Sequence, residues 1–153
     1  MIMRLDVPLY TQQLAIGPSE MPAFLDVPDE CDTLALIVPA YGCSRHVISD
    51  NHLAAALRKR GCATLIVDFV NDWPRTTPCD PALLARRLGE TLDWIDAVPI
   101  FAPLPLMLVH AEPVDPAIAD ALASRPTRAA GMTLIDAEQA LADRPLGAEP
   151  ATC

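Results

Sequence analysis

Continuous apolar runs alternate with stretches of helical period along this chain. Thr33–Pro39 (TLALIVP), Ala63–Val70 (ATLIVDFV) and Leu104–Val109 are apolar at nearly every position, as strands covered on both faces should be. Between the first two, the segment NHLAAALRKR over 51–60 reads as a helix that Ser49 or Asp50 can cap and Gly61 can end in the left-handed region. Asp80 can cap the next helix with Pro81 at its first position, and Leu84, Leu88, Leu92 and Ile95 form its apolar stripe. Asp115-Pro116 repeats the device and opens a helix to about Ser124, closed by Arg125-Pro126. Met132–Ile135 is then a short fourth parallel strand, and Asp136 is placed to cap a last turn or two through Leu141.

Ahead of these units, Gln12–Ile16 and Pro22–Val27 are short extended candidates joined by Gly17-Pro18-Ser19, a turn sequence suited to an antiparallel hairpin. The order predicts an α/β fold: a three-layer α/β/α sandwich with a mostly parallel sheet and an N-terminal antiparallel hairpin. One domain over residues 1–143 is expected, with 144–153 as a disordered tail.

Composition narrows the partners. Of 153 residues, 52% are hydrophobic and 20% charged, enough apolar surface for a core and too much for intrinsic disorder. Eleven Lys and Arg stand against 20 Asp and Glu, for a net charge of −9, and Lys59 is the sole lysine. Nucleic acid and anionic membranes both call for clustered positive charge, so neither is an expected partner. The start, MIMRLDVPLY, lacks the apolar core of a secretory signal, and the most apolar long stretch, Val98 to Val109, holds three prolines. A cytoplasmic protein is expected. Its five cysteines (Cys31, Cys43, Cys62, Cys79, Cys153) are odd in number and widely spaced, which suits free thiols, with Cys62 in the core.

The order and spacing over roughly residues 12 to 136 resemble the α/β-hydrolase superfamily, most of all its dienelactone-hydrolase-like branch. The resemblance rests on the hairpin ending in Val27-Pro28 and on the apolar strand running into Pro39-Ala40-Tyr41-Gly42-Cys43-Ser44-Arg45-His46. It continues through Gly61, ATLIVDF with its late aspartate, and LLARRLGETLDW over Leu83–Trp94. It implies that Tyr41, Gly42 and Cys43 are a remnant of the family's oxyanion loop, with Tyr41 in place of its usual histidine.

Two departures bear on activity. The resemblance places a Gly-x-Ser-x-Gly nucleophile elbow at the end of the third parallel strand, where this chain reads His110-Ala111-Glu112-Pro113-Val114. His110 and Val114 replace both glycines and Glu112 replaces the nucleophile. Pro113 moreover biases Glu112 toward extended backbone and away from a sharp positive-φ turn. The family's base histidine follows its nucleophile, whereas the histidines here are His46, His52 and His110. A shortened hydrolase fold without the family's catalytic machinery is therefore the expectation.

Other candidate chemistry has a plainer alternative in each case. Cys43, near a helix N-terminus with His46 as base, would be a nucleophile or redox thiol, or a small residue filling the old oxyanion loop. Cys43, His46 and His52 match no common zinc spacing, so no metal and no cofactor are expected. Glu112 beside Asp115, or beside Asp68 from a strand end taken as neighbouring, would make a carboxylate pair at the sheet's carboxyl edge. The alternative is that Asp115 caps a helix and Glu112 is solvated. The main functional expectation is binding, either self-association as a homo-oligomer or capture of a protein partner, through the sheet edge near Met132–Ile135. The alternatives are a small ester or lactone hydrolase using Cys43, and a small-molecule binder without turnover.

Overall fold

The computed structural model describes residues 12–38, 48–69, 80–110, 116–125, 128 and 131–141. These residues form a six-stranded sheet in the order β1-β2-β4-β3-β5-β6. Its strands are β1 (Gln12–Ile16), β2 (Met21–Asp26), β3 (Thr33–Val38), β4 (Cys62–Val67), β5 (Leu106–His110) and β6 (Met132–Asp136). Four helices are described with them: α1 (Ile48–Arg58), α2 (Pro81–Ala97), α3 (Pro116–Ala123) and α4 (Ala137–Leu141). The hairpin β1–β2 is antiparallel and β2 runs antiparallel to β4, while β4, β3, β5 and β6 are mutually parallel. The expected architecture is present, with strand ends shifted by one to three residues.

Alternation along the strands sorts side chains to two faces. Leu34, Leu36, Val38, Leu65, Val67, Leu106 and Leu108 meet α2 and α3 on one face. Ala35, Ile37, Cys62, Ile66, Met107 and Val109 meet α1 and α4 on the other. Burial on both faces is why β3, β4 and β5 read as unbroken apolar runs. The predicted α2 stripe of Leu84, Leu88, Leu92 and Ile95 is buried throughout, each side chain contributing roughly 1.5–3 kcal/mol on removal from water.

The turns and helix ends use polar groups in specific ways. Gly17 has φ +72° in the hairpin turn, and the Ser19 N–H and hydroxyl both donate to Glu90 on α2, at 3.1 and 3.0 Å. Gly61, at φ +91°, turns the chain from α1 into β4. Asp80 precedes Pro81 as expected but makes no side-chain capping bond, and its carbonyl instead accepts the Leu84 N–H at 3.0 Å. Asp136 does cap α4. Its Oδ1 accepts the Gln139 N–H at 2.8 Å while Gln139 Oε1 accepts the Asp136 N–H at 3.3 Å, a reciprocal capping box.

Candidate functional site

Parallel sheets of this kind bind ligands beyond the carboxyl ends of their strands. Here that edge is formed by Val38, Val67-Asp68-Phe69, His110 and Asp136. The candidates Tyr41, Gly42, Cys43, His46 and Glu112, with Asp72, Trp73, Cys79 and Asp115, lie outside the described residues. The strands from which they depart are described, and these fix the order in which the loops leave the sheet.

That order corrects one expectation. Asp68 does not come from a strand beside β5, because β3 lies between β4 and β5. Its side chain also alternates to the α1 face, whereas His110 alternates to the α2 and α3 face. Asp68 is buried at 3% exposure, and its N–H donates to the Pro22 carbonyl at 2.9 Å, continuing the β2–β4 ladder. It is a packed strand-end residue. Nearby, Arg87 Nη1 reaches from α2 to the Phe69 carbonyl at 2.7 Å and holds the chain where it leaves β4.

The structure brings His110 into register with Val38 on one side and with Asp136 on the other. Aligned residues of parallel strands project to the same face, so an imidazole and a carboxylate share the α2 and α3 side of the edge. His110 is buried at 7% exposure and Asp136 is half-buried. By sequence His110 stands at a lost glycine position and Asp136 at a cap position. Their 26-residue separation carries no local signal that strand register would align them.

His52, the remaining member of the considered metal set, is exposed on α1. Among the described residues no group of three His, Cys, Asp or Glu stands close enough to hold a metal ion. Two thiols are described. Burial, together with neighbouring Asp32, pushes Cys62 up to about 11, and burial raises Cys31 in the same direction. Neither has the depressed pKa of a nucleophilic cysteine.

The strand order and the placement of helices on both faces match known structures. A dienelactone hydrolase from Anabaena variabilis superposes with a TM-score of 0.68 at 24% identity, covering 83% of this chain and 61% of its own. The chain has an α/β-hydrolase fold. A lidless α/β serine hydrolase from Xanthomonas campestris matches this fold with a TM-score of 0.59 at 18% identity, over 83% of this chain and 59% of its own. A cold-adapted esterase from an Arctic intertidal metagenomic library gives 0.56 at 18% identity, over 76% and 55%. The α/β-hydrolase fold here thus spans about three-fifths of the solved hydrolases it matches.

No protein-family model matches the chain. Proteins from two strains of Mycobacterium tuberculosis, each described as a "Putative phosphoribosyl transferase", are 30% identical to it over 106 residues. That match covers 66% of this chain and 24% of theirs. The chain's match therefore spans about a quarter of those relatives' length. Among the described residues, no helix is long and apolar enough to cross a membrane.

Proposed function

We propose that this chain is a non-hydrolytic α/β-hydrolase module that acts by binding other protein. The observation that carries the reading is the sequence leaving β5. This fold sets its nucleophile in a glycine-flanked elbow there, and the chain has His110-Ala111-Glu112-Pro113-Val114. His110 has a Cβ where strand and helix must nearly touch. Glu112 precedes Pro113, a context that disfavours a sharp turn, and is a carboxylate in place of a hydroxyl or thiol. The binding half of the reading is supported by β6, an edge strand whose Thr133 and Leu134 are exposed.

The test is hydrolysis of a panel of p-nitrophenyl esters and a lactone by the wild type, Glu112→Ala and Cys43→Ala. All three are expected to run at the buffer rate. Turnover that either substitution abolishes would overturn the reading and return the chain to the ester or lactone hydrolases.

The Mycobacterium tuberculosis relatives support a second reading, in which the module accompanies a phosphoribosyl-transferring unit. Thermal unfolding with 5-phosphoribosyl 1-diphosphate separates being that unit from accompanying it. An acidic module of net charge −9 should show no rise in melting temperature. A saturable rise would place phosphoribosyl binding in this chain itself.

A further inference from the structure

We draw no further inference here: the strongest candidate, the side-chain cluster of His110 and Asp136 that share a register at the carboxyl ends of β5 and β6, belongs to the site already described, and one Asp136 carboxylate oxygen is already taken by the Gln139 N–H.

Discussion

Arg125, just beyond α3, grips Asp93 of α2 with two parallel bonds, Nε to Oδ1 at 2.9 Å and Nη2 to Oδ2 at 2.8 Å. The pair joins two helices on one side of the sheet, 32 residues apart in the chain. Its guanidinium lies over Gly89, one turn before Asp93, where an added Cβ would come within 2.8 Å of Arg125 Nη1. Gly89 is therefore set by a close approach and not by its backbone angles.

That contact predicts a coupling. In a helix interior Gly→Ala ordinarily gains about 0.5–1 kcal/mol. In the wild type Gly89→Ala must displace the guanidinium, and an exposed ion pair is worth roughly 0.2–1 kcal/mol, so the two effects nearly cancel. In an Arg125→Ala background the helix gain should appear in full. Urea denaturation of the four proteins measures the difference, and equal effects of Gly89→Ala in both backgrounds would show that the contact carries no energy.

The same pair has a pH signature. The hydrogen bonds from Arg125 hold the Asp93 carboxyl below its ordinary range. A carboxylate whose folded pKa is depressed adds stability that is complete above the unfolded pKa and is lost as pH falls through the folded value. Asp93→Asn should therefore unfold earlier than the wild type near neutrality, with the gap closing below about pH 4. Because Asp93 is two-thirds exposed, solvent screening keeps the gap small. A gap that widens in acid would contradict the assignment.

Glu90 ties the hairpin to α2 through its two bonds from Ser19. Glu90→Ala leaves a partly buried N–H and hydroxyl without their carboxylate and should cost about 1–3 kcal/mol. Glu90→Gln keeps an acceptor and should cost less. If the two variants unfold at the same denaturant concentration, the carboxylate does not hold the turn.

Thiol labelling separates the two described cysteines. With Cys62 buried and pushed up to about 11, it should label only after unfolding. Cys31, half-buried, should label in the native state, more slowly than a free thiol because its pKa is also raised. Peptide mapping after a brief native reaction checks the order, and labelling of Cys62 before Cys31 would contradict the burial.

Much of the architecture was legible from short-range pattern. Leu84, Leu88, Leu92 and Ile95 name the buried face of α2, and the position of Asp136 predicts the cap of α4 that its bond from Gln139 forms. Asp80 carried the same signature without forming the bond. Cap residues are favoured by type, but the rotamer that closes the bond depends on surroundings. At the candidate site, the residues His110 to Val114 can be compared with a Gly-x-Ser-x-Gly elbow from the sequence directly, whereas the neighbours of Asp68 depend on strand order. Pairing Asp68 with Glu112 assumes that strands successive in the chain are neighbours in the sheet, and β3 stands between β4 and β5.

The amino-acid sequence by itself determined the kind and order of the elements, because periodicity, caps and prolines act within a few residues. It also set His110-Ala111-Glu112-Pro113-Val114 where the resemblance places a Gly-x-Ser-x-Gly elbow. The tertiary structure alone decided that β4 lies between β2 and β3, that His110 shares a register with Asp136, and that β6 is the outermost described strand on its side of the sheet. Strand order and edge exposure follow from pairings between distant segments, whose energies are settled by the packing of helices on each face and leave no local trace in the chain.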